Sequence, residues 1–253
     1  MSTAGTGAAR SAGRIEAGGR LIVALDVPSA EEARAIVAAL DGAVCFFKIG
    51  LHLQLISGTE RLITDIIEAG NKVFLDYKIA DIGASMKAAI RAAASRGVSF
   101  MTIQGGGDLT ADIVHAALEG RIDGRPQIFC VTVLTSVSDA DSRELHGGKS
   151  VAEVVVERAR RIHAWGCDGV IASGLEPAAI KAEVSPDLLI ITPGIRPRGV
   201  GADDQRRVAT PTDAIVGGAD YLVVGRPVVA APDRRVAAAR IIEEMQAAFD
   251  QRG

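Results

Sequence analysis

Eight short apolar segments recur along the chain, and each is followed by a polar turn and a stretch of helical character. They are rich in Val, Ile and Leu, and their lengths suit strands that are buried on both faces of a parallel sheet. The eight segments are 21–26, 44–50, 72–78, 99–105, 127–135, 169–174, 188–194 and 221–227. Eight strands alternating with helices over roughly 230 residues predict an α/β fold, the (β/α)8 TIM barrel.

Residues at the helix boundaries support this alternation. Ser29 with Glu32, and Ser150 with Glu153, have the spacing of a capping box, and Pro211 suits the first position of a helix. A left-handed glycine is expected after four of the helical stretches, at Gly70, Gly97, Gly120 and Gly166. The alternative is a doubly wound open sheet. That fold usually has a glycine-rich fingerprint after its first strand, and this sequence has none there.

Composition defines the domain organisation. Residues 1–19 are small, polar and rich in Gly and Ala, which predicts a flexible tail, and residues 20–253 contain no internal boundary and predict a single catalytic barrel. The tail lacks the apolar core of a signal peptide, and no uncharged apolar run approaches the ~18 residues of a membrane span. Three widely spaced cysteines fit a reducing compartment, so we expect a cytoplasmic protein without disulfides or a zinc site.

Charge and aromatic content exclude several classes of function. The net charge is −3 and the pI is near 5.9, whereas a non-specific nucleic-acid binder would be basic. Aromatic residues make up only 4% of the chain, which is too few for a base-stacking platform. The hydrophobic content of 48% argues against intrinsic disorder. We therefore expect neither nucleic acid nor a membrane among its partners.

In a barrel of this kind the active site lies at the carboxyl ends of the strands. Asp76 and Lys78 end the third apolar segment two residues apart, so they share one face of a strand, and Tyr77 points the other way. Lys48 adds a cation from the second segment, and Asp81 follows the third. Alternating charges would keep each lysine protonated and each carboxylate ionised, which makes Lys78 a proton donor and not a Schiff-base lysine. The alternative is an ion pair with only a structural role.

A second group of residues follows the seventh and eighth segments, where these barrels commonly bind phosphate. Gly194 with Arg196, and Gly225 with Arg226, offer backbone N–H groups and planar forks of donors to an anion. The connection between them is long and glycine-containing, which predicts a loop that closes over a phosphate with Gln205 reaching in. An ordinary surface loop is the alternative.

Two hydroxyls, those of Thr132 and Ser136, lie near the end of the fifth segment. They suit either a carboxylate or amide edge of a ligand or the capping of backbone groups. The four histidines form no metal-ligand pattern, so we expect no metal.

Taken together, these motifs resemble the orotidine 5′-phosphate decarboxylase family. The resemblance rests on LIVALD with Asp26, FKIG with Lys48, D-x-K-x-x-D-I at 76–82, VTVLTS at 131–136, PGIRP at 193–197, DDQRR at 203–207 and VVGRP at 223–227. The D-x-K-x-x-D element alone is shared with a wider suprafamily, whereas the full set, in the family's order from strand 1 to strand 8, is specific.

The resemblance implies a homodimer of (β/α)8 barrels with shared active sites. It implies conversion of orotidine 5′-monophosphate to UMP and CO2, in pyrimidine biosynthesis, without a metal or organic cofactor. The catalytic array would be Lys48, Asp76, Lys78 and the partner chain's Asp81, with Lys78 protonating C6. The implied substrate-binding residues are Asp26 (ribose), Ile82 (in the partner's site), Thr132 (ribose), Ser136 (pyrimidine), and Pro193, Arg196, Gln205, Gly225 and Arg226 (phosphate side).

Two positions depart from the family pattern. Gly83-Ala84-Ser85 stands where Pro-Asn-Thr is common, and the fourth strand ends at Gln104 without the usual histidine-containing segment. Neither departure removes a catalytic charge. We therefore expect these two differences to change the local geometry and not the activity. One alternative function is a magnesium-dependent sugar-phosphate decarboxylase or aldolase of the suprafamily, which carries an acidic metal ligand where this chain has Lys48. The other is a non-catalytic barrel that binds a phosphate ligand.

Overall fold

The computed structural model describes residues 16–197 and 207–252. Eight strands close into a barrel in chain order, and every neighbouring pair is parallel, including β1 with β8. The strands are β1 (Leu21–Ala24), β2 (Phe46–Gly50), β3 (Lys72–Ile79), β4 (Phe100–Gln104), β5 (Gln127–Val131), β6 (Gly169–Ile171), β7 (Leu189–Thr192) and β8 (Tyr221–Val224). Closure confirms the predicted (β/α)8 barrel and rules out the open sheet.

Helices connect the strands and surround the barrel. They are α1 (Ala30–Ala39), α2 (Leu51–Gln54), α3 (Thr59–Glu68), α4 (Gly83–Ser95), α5 (Ala111–Glu119), α6 (Asp139–Leu145), α7 (Val151–Ala164), α8 (Pro177–Glu183), α9 (Pro211–Val216), α10 (Arg226–Val229) and α11 (Arg234–Arg252). The capping box of Ser150 with Glu153 is present at α7. At α1 the Ser29 hydroxyl accepts a hydrogen bond from the Glu32 N–H, and Pro211 begins α9 as predicted.

Three of the four predicted left-handed glycines are confirmed, and the fourth is wrong. Gly70, Gly97 and Gly166 have φ of 79°, 80° and 81°. Gly120 has φ −69°. Glycine is required at this position for a steric reason, because a Cβ there would lie 2.5 Å from the Lys87 carbonyl oxygen on α4. Glycine at this position lets α4 and α5 pack closely.

The described part of the predicted tail packs against the barrel. Ala17–Gly19 form a 3-10 turn, Ala17 is fully buried, and its N–H donates to the Gln246 side chain of α11 at 3.0 Å. These residues therefore differ from the flexible segment expected for 1–19, because a buried alanine and a hydrogen bond hold them in place. Residues 1–15 lie outside the described residues. In the described part of the chain, no helix combines the length and apolar character that crossing a membrane requires.

Aromatic side chains fill the inside of the barrel. Phe46, Phe74, Phe100 and Phe129 come from the neighbouring strands β2 to β5, and all four are buried. The Phe100 ring centroid lies 4.8 Å from that of Phe46 and 4.7 Å from that of Phe129. Edge and tilted contacts at such distances are favourable for aromatic rings. These four rings therefore fill the middle of the barrel, and a cavity lies beyond them at the carboxyl ends of the strands.

Candidate active site

A cavity of about 420 Å³ opens at the carboxyl ends of the strands. Its volume lies within the range of small-ligand sites. The polar lining from β1 to β3 consists of Asp26, Lys48, Asp76 and Lys78. Across the cavity, the segments after β7 and β8 contribute Pro193, Gly194, Arg196, Gly225 and Arg226. The predicted charged cluster and the predicted anion-binding residues therefore face one space.

The charges in this cavity alternate. Lys48 Nζ lies 3.0 Å from Asp26 Oδ1 and 3.5 Å from Asp76 Oδ2, and Lys78 Nζ lies 2.8 Å from Asp76 Oδ1. The Lys48 side chain is 9% exposed, and the Asp76 side chain is 16% exposed. Buried charges need such partners, because desolvation of an unpaired ion is costly. The array expected from the sequence is present for Lys48, Asp76 and Lys78.

Asp76 is held in its ionised form. Burial raises the pKa of its carboxyl, but the nearby Lys48 and Lys78 charges, with hydrogen bonds from Lys78 and Thr102, lower the pKa by more. The Thr102 hydroxyl donates to Asp76 Oδ1 at 3.1 Å. This threonine lies on β4, is fully buried and was not among the residues expected at the site. The only sequence signal for it was its position, one polar residue inside the fourth apolar segment.

The backbone of β3 is irregular where it presents Lys78. Its register with β4 shifts between Leu75 and Ile79, and Lys78 adopts a left-handed φ of 49°. The Lys78 N–H donates to Thr102 Oγ1 at 2.9 Å, so one hydroxyl supports both Lys78 and the carboxylate of Asp76. Left-handed backbone costs a residue with a side chain about 1–2 kcal/mol. The fold accepts this cost at Lys78, whose ammonium lies 2.8 Å from Asp76 Oδ1.

Tyr77, between these two residues, points away from the cavity as predicted. Its ring packs against the core between the strands and the helices, and burial raises the pKa of its phenol to about 12. The phenol is therefore outside the chemistry of the cavity.

The residues predicted to bind an anion include those of a turn after β7. Gly194 has a left-handed φ of 77°, which glycine adopts without steric cost. Arg196 is a buried residue, with 8% of its surface exposed. Its backbone N–H donates to the Ala209 carbonyl at 2.9 Å. Arg196 and Arg226 both line the cavity. Gln205, the other residue expected at a phosphate, lies outside the described residues.

Asp81 and Ile82 lie apart from the cavity of their own chain. Both are exposed, Ile82 by 69%, and the Ile82 N–H donates to Asp81 Oδ1 at 2.7 Å. Neither belongs to the described lining of this cavity. Within one chain, the structure thus brings together three of the four expected array residues.

The hydroxyls after β5 are arranged differently from the expectation. Thr132 is fully buried, and its hydroxyl donates to the Ile171 carbonyl at 2.8 Å, the backbone-capping alternative. Ser136 is exposed, and among the described lining residues it is Thr135 that borders the cavity. The sequence could not choose among these neighbours, because β5 ends at Val131 and strand alternation no longer applies beyond it.

Within the described ranges, no three His, Cys, Asp or Glu side chains are grouped closely enough to hold a metal ion. The cavity contains two carboxylates, Asp26 and Asp76, and both contact Lys48. The cavity therefore has a row of paired charges on one side and two arginines, Arg196 and Arg226, on the other.

Comparison with known proteins identifies the family. The model of the orotidine 5′-phosphate decarboxylase / HUMPS family matches residues 19–241. The chain belongs to this family. The match covers all eight strands of the barrel and every residue that lines the cavity.

Relatives of the family match nearly the whole chain. An orotidine 5′-phosphate decarboxylase of Nitrobacter winogradskyi is 45% identical over 226 residues, which are 89% of this chain and 92% of the relative. That of Afipia carboxidovorans is 44% identical over 229 residues, 90% of this chain and 95% of the relative. A crystal structure of orotidine 5′-phosphate decarboxylase from Lactobacillus acidophilus is 33% identical, with a TM-score of 0.77, and the match covers 89% of this chain and 98% of that one.

The structure gives a reason for one departure from the pattern of the orotidine 5′-phosphate decarboxylase family. Gly83 begins α4, and a Cβ at this position would lie 3.2 Å from the Ala116 Cβ of α5. The close packing of α4 on α5 therefore favours glycine at this position. Gln104, the second departure, ends β4 and is half-buried.

Proposed function

We propose that this chain is an orotidine 5′-phosphate decarboxylase, a carboxy-lyase that converts orotidine 5′-monophosphate to UMP and CO2. One observation carries the proposal. Lys48 and Lys78 each lie within 3.5 Å of the Asp76 carboxylate between them, in a cavity whose other side holds Arg196 and Arg226. A fixed ammonium suits a carbanion that forms at C6, and the arginines suit the phosphate of the same substrate.

Lys78 is the proton donor in this proposal. Loss of CO2 breaks the bond between C6 and the carboxylate carbon and leaves the electron pair on C6. The Lys78 ammonium stabilises this pair and transfers its proton to C6, and the resulting amine regains a proton from water. The bond between Lys78 and Asp76, 2.8 Å long, fixes the ammonium before the substrate arrives. Asp76 faces the substrate carboxylate and favours its departure.

Binding of the remote parts of the substrate supplies the rest of the rate enhancement. A slow decarboxylation of this kind needs a barrier reduction on the order of 20 kcal/mol. Two unit charges ~4 Å apart contribute roughly 4 kcal/mol at an effective dielectric near 20. One ammonium is therefore insufficient, and binding energy from the phosphate and ribose must order the site. Asp26 and Lys48 bind the ribose, and Pro193, Arg196, Gln205, Gly225 and Arg226 surround the phosphate.

The pyrimidine side is formed by the segment after β5. Ser136 contacts the pyrimidine in this proposal, as expected from the family resemblance. The ribose contact expected of Thr132 passes to Thr135, because the Thr132 hydroxyl already donates to the Ile171 carbonyl and Thr135 borders the cavity.

A second chain completes the site. In the proposed homodimer, Asp81 and Ile82 reach the partner's cavity, where Asp81 becomes the fourth member of the charge array. Their exposure on the side of the barrel that carries the cavity supports this role. The proposed setting is pyrimidine biosynthesis in the cytoplasm.

Lys48 argues against the magnesium-dependent alternative. That alternative needs an acidic ligand at the end of β2, whereas here a cation contacts both carboxylates of the cavity. An ammonium between two carboxylates repels a divalent cation from them.

The direct test is the loss of orotate absorbance when purified protein meets orotidine 5′-monophosphate in excess EDTA. We expect turnover that added magnesium does not increase. Turnover restored only by magnesium would support the suprafamily alternative, and binding of UMP without turnover would support a non-catalytic barrel. Either result would refute the proposed function.

A further inference from the structure

A buried ion pair lies behind the cavity wall, outside the charge array. Glu176 comes just before α8, and Arg207 lies between β7 and α9. Arg207 Nη1 lies 2.7 Å from Glu176 Oε1, and their side chains are 11% and 6% exposed. The Ser173 hydroxyl donates to the same Oε1 at 2.8 Å. The pair is therefore a built and desolvated contact, unlike the surface ion pairs of this chain.

The pair joins three strand ends of the cavity. Arg207 Nη2 donates to the Leu134 carbonyl at 3.0 Å, and Leu134 lines the cavity after β5. Ser173, bonded to Glu176, follows the end of β6. Two residues beyond Arg207, the Ala209 carbonyl accepts from the N–H of Arg196, which lines the cavity after β7. The Arg207 guanidinium thus joins the walls that follow β5 and β6, and the backbone two residues beyond it is bonded to the segment after β7.

Arg207 divides its hydrogen bonds between Glu176 and the Leu134 carbonyl and does not form both with the carboxylate. An arginine and a carboxylate can form two parallel hydrogen bonds, which is their strong arrangement. Here Glu176 Oε2 and Arg207 Nε are buried without a hydrogen-bond partner in the described structure. The second bond is replaced by the one from Nη2 to the Leu134 carbonyl.

We propose that Glu176 and Arg207 are positioning residues for the proposed decarboxylation. They act through Leu134 and Arg196 to set the wall that receives the phosphate-bearing side of the substrate. The inference rests on the proposed function. A wall displaced by a fraction of an ångström weakens binding and orientation, and a misplacement of about 1 Å can cost roughly 100-fold.

The test compares Glu176→Gln, Arg207→Lys and the double variant with the full wild-type chain. We expect each single variant to raise the KM for orotidine 5′-monophosphate by about tenfold or more, with a smaller change in kcat. The affinity for UMP should fall more than that for uridine, because Arg196 belongs to the phosphate side. The double variant should be little worse than either single variant, since both remove one linkage.

A second buried pair provides the control. Lys181 Nζ lies 2.8 Å from Asp220 Oδ2, with 15% and 12% of the side chains exposed, and Asp220 lies just before β8 at the opposite end of the barrel. Lys181→Met should lower the Tm and leave the KM and the preference for UMP over uridine unchanged.

Failure of the positioning role and failure of the proposed decarboxylase function give different results. A wild-type chain without decarboxylase activity refutes the proposed function, and UMP and uridine affinities of the variants still test the pair. An active wild type whose Glu176→Gln variant loses Tm but keeps its KM and UMP preference overturns the positioning role. Fully additive effects in the double variant also overturn it.

Discussion

Lys78 combines an unusual backbone with a fixed side chain. Its φ of 49° is maintained by the bond from its N–H to Thr102, and its Nζ is fixed by Asp76. Strained residues persist only where their surroundings determine their conformation, and such positions cluster at functional sites. Thr102 thus couples the position of the proposed proton donor to that of its counter-ion.

Replacement of this lysine tests its role. Lys78→Ala should lower kcat by at least about 10²–10⁴-fold, the range that positioned proton transfer contributes. The Tm should change little, because Asp76 keeps its contacts with Lys48 and Thr102. The measurement is steady-state turnover together with thermal unfolding. Lys87→Ala, which removes an exposed ion pair with Glu119, should be fully active. Activity of Lys78→Ala near that of this control would contradict the proton-donor role.

Asp76 predicts a pH dependence of stability. Its pKa is lowered in the folded state, so its charge stabilises the fold above the ordinary value of about 3.9, and this contribution disappears as pH falls through the lower folded value. Asp76→Asn should therefore be destabilised most near neutral pH, and the two free energies of unfolding should converge below about pH 4. Urea unfolding at a series of pH values measures this. Parallel curves for the two proteins would mean that the carboxylate is not stabilised by its lysines.

The sequence predicted charged residues well and their hydroxyl neighbours poorly. Lys48, Asp76 and Lys78 were predictable because charges are rare at the ends of buried strands. Thr102 was not, because a threonine inside an apolar segment has the same pattern whether it supports a carboxylate or only packs. The pairing of Glu176 with Arg207 joins segments 31 residues apart and needs coordinates.

At the scale of elements, the eight strands were predictable and their ends were not. The fifth apolar segment was expected to span 127–135, yet β5 ends at Val131. The sixth was expected to span 169–174, and β6 ends at Ile171. In both cases the chain stays apolar beyond the sheet because it continues as cavity wall or core, with Val133 and Ala172 both buried. Apolar composition alone does not separate a strand from the wall that follows it.

The contact between β5, β6 and β7 gives an element-scale prediction. A Cβ on Gly169 would clash with the Leu189 carbonyl and would lie 2.5 Å from the Phe129 ring. Gly169→Ala should therefore destabilise the barrel by about 1–3 kcal/mol, the usual cost of overpacking. Gly19→Ala is the matched control, since nothing lies within 4 Å of its Cβ position. Chemical unfolding of both variants measures the difference. Equal stabilities would show that the strands can separate at no cost.

At the scale of the whole molecule, apolar side chains surround the side of the barrel that carries the cavity. Leu51, Leu55, Ile82 and Leu175 follow strand ends and are 59%, 81%, 69% and 66% exposed. Exposed apolar side chains are common at protein interfaces. Ile82, which is next to Asp81 in the chain, is one of them, and its exposure supports the proposed homodimer. The sequence predicted Asp81 as an array member only through the family resemblance, because a partner's cavity leaves no periodic signal in one chain.

The shared site predicts complementation between inactive chains. In a mixed dimer of Lys78→Ala and Asp81→Ala, one of the two sites has both residues intact. Random mixing of two chains in a symmetric dimer gives half mixed dimers, so activity should recover to about a quarter of wild type. The measurement is turnover after the two variants are unfolded and refolded together. Each variant refolded alone is the control, and inactivity in verified mixed dimers would contradict the shared site.

Delivery of a proton to C6 defines the proposed reaction, and proton NMR of the product shows the source of that proton. Orotidine 5′-monophosphate is incubated with the purified protein in D2O with excess EDTA, and the product is followed by proton NMR. Because the Lys78 ammonium exchanges its protons with solvent, we expect UMP that carries deuterium at C6. UMP with protium at C6, or no UMP without added magnesium, would contradict it.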